Sequence, residues 1–276
     1  MIQLSGFADE IGPDLGLQIE TLTSENMTFL ELRGVWDTNV LDLTDEQRAE
    51  VRERLGDAGL GVSSIGSPIG KVRIDEPWAD HVERFKAALD AAEFFEAPYI
   101  RLFSYYPPEG ARIADHRDEV IRRLNEQVEM AVGRPVTLLH ENEADIYGEK
   151  PDGCLDLHEN VPGLKAVFDP ANFVQAGVKP AEAWAALKEH VVYFHVKDAV
   201  AGTGKVVPAG EGDGRIPEIL REAILERGYS GFISLEPHLA VAGQFAGFSG
   251  PDLFKKAVQT LKKILDDLGA EYDAKP

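Results

Sequence analysis

Short apolar runs alternate with longer amphipathic runs along the whole chain. The short runs, four to six residues each and rich in β-branched and aromatic types, read as strands over 2–7, 28–32, 61–65, 99–103, 135–140, 164–168, 191–196 and 232–235. Between them, apolar residues recur at helical spacing and predict helices over 15–26, 44–58, 78–95, 115–132, 152–160, 181–189, 216–227 and 252–268. Punctuation supports several of these ends. Thr44 and Gln47 have the spacing of a capping box, Pro77 sits at a helix opening, and Gly59, Gly228 and Gly269 follow helix ends.

Eight strand–helix pairs in 276 residues imply an α/β fold with a parallel sheet, closed as a (β/α)8 TIM barrel. The open doubly wound alternative usually has a glycine-rich turn after its first strand. Here the first strand leads into FADEIGP, residues 7–13, without that spacing. No low-complexity linker or short repeat interrupts the pattern, so the expectation is one domain over 1–276.

Composition narrows the partners. Apolar residues make up 44%, an ordinary globular share that argues against disorder. No apolar run approaches the roughly 18–20 residues of a membrane span. The start MIQLSGFADE reads as a strand in use and not as a signal peptide. The single cysteine, Cys154, cannot form an internal disulfide, which points to the cytoplasm. The formal charge of −20 argues against nucleic acid and anionic membrane surfaces as partners. Most of that charge reads as a solvated surface, and part of it as a metal pocket. The oligomeric state stays open, a homo-oligomer included.

In a barrel of this kind, functional groups collect at the C-terminal ends of the strands. Strand five ends in LLHENE, strand six in VFDPAN, strand seven in YFHVKD and strand eight in SLEPH. Singly, Glu141, Asp169, His195 and Glu236 read as turn residues, helix caps or a satisfied histidine. Jointly they place a metal-ligand type at the same level of four successive strands. Three carboxylates and one imidazole suit one divalent ion: Mn²⁺, Co²⁺, Mg²⁺ or Zn²⁺. Such an ion would polarise a carbonyl and stabilise an enediolate-like intermediate.

Weaker candidates surround this set. Strand alternation puts Lys197 on the face of His195 and His238 on the face of Glu236, and turns His140 away toward the helices. Arg33, Arg101 and Glu143 stand at strand ends as candidate substrate contacts, and Asn172 can hydrogen-bond a hydroxyl. Glu31 and Arg33 share a face, so a buried ion pair or a polyol contact is expected. The loop PAGEGDG, 208–214, has phosphate-cradle glycines, but Glu211 and Asp213 would repel an anion, so it reads as a flexible rim. The aromatic loop 105–108 is expected to close over the pocket.

The pieces FADEI, ELRG, SIGSPIGK, ENE, FDPAN, HVKD and LEPH resemble the xylose isomerase-like barrel superfamily, and within it the sugar phosphate isomerase/epimerase family. The resemblance covers nearly the whole chain. It implies that Glu141, Asp169, His195 and Glu236 bind the metal. It also implies that Glu141 and Glu236 act as acid and base on opposite faces of a sugar or polyol ketone. Many relatives have a histidine where this chain has Asn172, and the second-ion carboxylates of xylose isomerases proper are not found. Proton transfer is therefore favoured over a hydride shift. Three alternatives remain: an inosose-type dehydratase, a non-catalytic sugar-binding barrel, and an AP-endonuclease-like nuclease, the last opposed by the charge.

Overall fold

The computed structural model describes residues 1–240 and 248–274. Its barrel strands are β1 (Gln3–Gly6), β2 (Phe29–Leu32), β3 (Gly61–Gly66), β4 (Tyr99–Leu102), β5 (Thr137–Glu141), β6 (Lys165–Phe168), β7 (Val191–Val196) and β8 (Phe232–Leu235). Each pairs in parallel with the next from β2 to β8, and β8 returns to pair with β1. A single bridge, Phe7 to Glu31, joins the remaining edges among the described residues, so the (β/α)8 barrel is nearly closed.

The helices are α1 (Leu15–Ser24), α2 (Asp45–Asp57), α3 (Trp78–Phe94), α4 (Arg117–Ala131), α5 (Pro151–Asn160), α6 (Pro170–Gln175), α7 (Pro180–Leu187), α8 (Ile216–Arg221) and α9 (Gly250–Asp267). The capping box of α2 forms as its spacing predicts. Thr44 Oγ1 accepts the Gln47 N–H at 3.2 Å, and Gln47 Oε1 accepts the Thr44 N–H at 2.9 Å. Two predicted helices are less regular than expected. A 3₁₀ turn, Ile113–His116, precedes α4, and α8 runs on into a π turn, Glu222–Glu226. Two hairpins were not foreseen. One pairs Gly34–Val35 with Thr38–Asn39, and the other pairs Asp198–Val200 with Lys205–Val207. Their strands are two or three residues long, too short to show a period-2 pattern.

The barrel interior is layered. At one level Leu139, Val167, Tyr193 and Phe232 pack with Phe29 and Tyr99 into an apolar plug. A polar layer adjoins it, built from Ser5, Ser63, the Tyr193 hydroxyl, Glu31 and Ser234. The C-terminal strand ends carry the charged groups. The plug keeps water out from below, so electrostatic interactions at the strand ends are stronger than they would be in water.

Candidate active site

Glu141, Asp169, His195 and Glu236 meet at the C-terminal ends of β5, β6, β7 and β8. All four are buried, and one ligand-type atom of each lies within 4.8 Å of the others. Asp169 divides its two oxygens. Oδ1 caps α6 by accepting the Asn172 N–H at 3.0 Å, while Oδ2 is left for the cluster. The capping role of Asp169 therefore leaves its second oxygen open to a ligand role. Asn142 fixes its backbone from both sides, accepting the Asp169 N–H at 3.1 Å and donating to the Asp169 carbonyl at 3.0 Å.

The donor set fits a divalent ion. Asp169 Oδ2 and His195 Nδ1 are buried and make no hydrogen bond. Each has a close neighbour, Lys197 Nζ at 3.1 Å and Glu141 Oε1 at 3.0 Å, but neither contact has hydrogen-bond alignment. Orphaned buried polar atoms are rare, and two of them in one oxygen-and-nitrogen cluster are what an ion would satisfy.

Each glutamate is held by its own arginine. Arg101 Nη1 donates to Glu141 Oε2 at 2.6 Å, and Arg33 Nη1 to Glu236 Oε1 at 3.1 Å. Both guanidinium groups lie over the Phe7 ring, 4.5 Å away for Arg33 and 5.2 Å for Arg101. Arg33 also donates to Asp9 at 2.7 Å. Lys197 Nζ sits 3.1 Å from both Asp169 Oδ2 and Glu236 Oε2.

These contacts set the charges. Burial pushes the Glu141 carboxyl up, but His195 and Arg101 outweigh it and hold the group below the usual carboxylate range. Burial likewise opposes ionisation of Glu236, and Lys197, His238, His195 and Arg33 more than reverse it. Asp169 is the crowded member. Burial raises it to about 6; Lys197 offsets part of this, and Glu141 and Glu236 add to it. Burial disfavours a charged His195, yet Glu141 and Glu31 outweigh it and raise the ring to about 10. Three carboxylates and one imidazole thus meet in the cluster, with Arg33, Arg101 and Lys197 paired to them from its edge.

Of the four, Glu236 lines a cleft of about 810 Å³. Every predicted substrate contact lines it: Arg33, Arg101, Glu143, Asn172, Lys197 and His238. Glu143 is paired with Lys71 at 2.9 Å, and Asn172 Nδ2 donates to the Asn142 carbonyl at 2.8 Å. His238 donates its backbone N–H to Glu10 Oε2 at 2.8 Å, and its Nδ1 lies 2.6 Å from Glu10 Oε1. His140 points away as expected, bonding Ser104 at 3.0 Å and meeting His158 of α5 edge to face.

Three expectations are corrected. Glu31 and Arg33 form no pair: Glu31 faces inward to His195, and Arg33 turns out to Asp9 and Glu236. The loop 208–214 is pinned around the Asp198 carboxylate, which accepts the N–H groups of Gly210, Gly212 and Gly214 at 2.8–3.1 Å. A Cβ at Gly212 or Gly214 would collide with Asp198 Oδ1, which explains the glycines. Tyr105 does not cover the cleft: it is buried against His81 and Arg123, on the α3 and α4 side. The sequence reading also missed Asp9, Glu10 and Asn142. FADEI and ENE contain them, but nothing in either string separates a clamp from a solvated acid.

A family model described as xylose isomerase-like TIM barrel matches residues 20–266, and the chain belongs to that family. No curated protein sequence matches it. Among solved structures it is similar to a D-tagatose 3-epimerase-like protein, with 17% identity, a TM-score of 0.77, and coverage of 97% of this chain and 98% of that one. It is also similar to the probable 3-DHS dehydratase AsbF of Bacillus anthracis, with 18% identity, a TM-score of 0.73, and coverage of 94% and 98%. A third is a xylose isomerase-like TIM barrel protein from Mycobacterium smegmatis in complex with magnesium, with 18% identity, a TM-score of 0.71, and coverage of 98% and 97%. At these identities the likeness shows the fold. No helix among the described residues is long and apolar enough to cross a membrane.

Proposed function

We propose that the chain is a single-domain isomerase or epimerase that uses one divalent ion, held by Glu141, Asp169, His195 and Glu236, to move a proton beside the carbonyl of a sugar or polyol ketone. The observation that carries this reading is the convergence of two orphaned ligand atoms with two glutamates, each anchored by an arginine. The ion supplies Lewis acidity that polarises the carbonyl and makes the neighbouring C–H acidic. Glu141 and Glu236 are ionised at neutral pH, so each can accept a proton. Arg101 and Arg33 hold their outer oxygens and so fix the direction of the inner ones. In the epimerase reading, one glutamate removes the proton and the other side of the site returns one, with the Lys197 ammonium beside Glu236 as donor. Asn172, Glu143 and His238 are placed to bind substrate hydroxyls.

Two observations support an uncharged substrate. The loop after β7, where barrels of this type often bind phosphate, has its N–H groups occupied by Asp198. The cleft cations Arg33, Lys71, Arg101 and Lys197 each lie within 3.1 Å of a carboxylate. The buried Cys154 and the acidic composition support a cytoplasmic protein that binds neither nucleic acid nor membrane.

A dehydratase is the second reading. It shares the first proton abstraction, and Lys197 next to Glu236 could protonate a departing hydroxyl. A panel of ketoses, ketose phosphates and inososes with Mn²⁺ in deuterated water tests both. Deuterium should enter a neutral ketose or inosose. A product mass changed only by the incorporated deuterium supports isomerisation, loss of water supports dehydration, and turnover confined to phosphorylated ketoses contradicts the uncharged substrate.

A further inference from the structure

The barrel interior holds one carboxylate that the proposed chemistry does not use. Glu31, on β2, is fully buried, as is His195 on β7. A single oxygen, Glu31 Oε2, takes three neighbours: His195 Nε2 at 3.0 Å, Ser234 Oγ at 2.8 Å and the Tyr193 hydroxyl at 3.1 Å. Behind Tyr193 the network continues through Ser63 Oγ at 2.8 Å to Ser5 Oγ at 2.6 Å. The other oxygen, Oε1, is buried without a hydrogen-bond partner.

A carboxylate kept for stability alone would have both oxygens answered, because an unpaired buried oxygen costs about 1–3 kcal/mol. This one is answered on one side only, and that side faces the imidazole of the ligand cluster. A carboxylate accepts and does not donate. The proton between Glu31 and His195 therefore belongs to Nε2, and Nδ1 is the ring nitrogen turned to Glu141, 3.0 Å from its Oε1. Ser234 and Tyr193 come from β8 and β7 and hold Glu31 in place from two strands.

We propose that Glu31 is the positioning residue for His195: through Nε2 it fixes the ring's tautomer and orientation, so that Nδ1 is the atom offered to a divalent ion. The inference rests on the ion site of the proposed function and extends it across the barrel to β2. Outer carboxylates of this kind orient a metal-binding histidine and raise its basicity, and losing one typically costs 10- to 100-fold in metal affinity.

The test titrates Mn²⁺ into wild type, Glu31→Ala and Glu31→Gln, and records the His195 ring ¹⁵N shifts with Mg²⁺ present. Glu31→Ala should bind Mn²⁺ about 10- to 100-fold more weakly. Glu31→Gln keeps an acceptor oxygen of the same reach, so it should fall between the two and safeguards the test if the alanine variant does not fold. Wild type should show a protonated Nε2. Wild-type Mn²⁺ uptake with affinity unchanged in both variants overturns this inference alone, as does, in protein that has taken up Mg²⁺, a proton on Nδ1 with Nε2 bare. No Mn²⁺ uptake by wild type overturns the ion site and this inference with it.

Discussion

Glu141 and Glu236 each present one oxygen to the cluster and one to an arginine, and that division makes them testable one at a time. Glutamine at either position keeps the size and an acceptor for the arginine but loses the charge that removes a proton. Glu141→Gln and Glu236→Gln should each lower deuterium exchange into substrate by at least about 100-fold. Far-UV circular dichroism should stay unchanged. Exchange within a few fold of wild type would contradict the acid–base assignment. The four-residue cluster itself was legible in the sequence, because four strands deliver the same kind of residue to one level. The groups that position its members were not. Asp9, Glu10, Glu31 and Asn142 act through contacts between residues as far apart as 239 positions, and local spacing contains no trace of such contacts.

At the scale of elements, the longer strands and helices followed from their periodicity, and ends with a local signal matched best. Thr44 illustrates this: its capping box is complete within four residues, so it could be read before any tertiary contact was known. Thr44→Ala should cost about 1 kcal/mol in urea unfolding. A change below a few tenths would show that the box adds nothing to α2. The loop 208–214 is the opposite case. Its glycines looked like freedom, but they make room for Asp198, whose carboxylate replaces an external anion. Asp198→Ala should release four backbone N–H groups at once, those of Ala199, Gly210, Gly212 and Gly214, and destabilise the protein by roughly 2 kcal/mol or more. It should also make the loop the first site of proteolysis. An Asp198→Ala variant as stable and as resistant as wild type would contradict the pinned loop. The two hairpins escaped the sequence reading because their registers come from tertiary packing and not from a repeating pattern.

At the scale of the whole molecule, three buried histidines link stability to acid. Burial, with the charge of Arg123 in support, lowers His81 to about 4. Burial and the neighbouring His158 lower His140 to about 3. Burial and His190 lower His158 to about 4. In the unfolded chain each would take up a proton near 6.5, while in the fold it resists until pH 3–4. Their contribution is therefore constant above pH 7 and is lost as pH falls from about 6.5 toward 4. Each adds up to about 1.4 kcal/mol per pH unit over that range. His158→Gln should make the loss between pH 6.5 and pH 4.5 shallower, as read by urea midpoints. An unchanged slope would contradict the buried neutral state.

The claim on which the others depend is that four barrel strands jointly hold a single ion. Elemental analysis of metal-replete, desalted protein tests it most directly, run beside Asp169→Ala, which removes one of the two orphaned ligand atoms. One divalent ion per wild-type chain, and a small fraction of that in the variant, is the predicted result. No ion in wild type, or equal content in both proteins, would contradict the account.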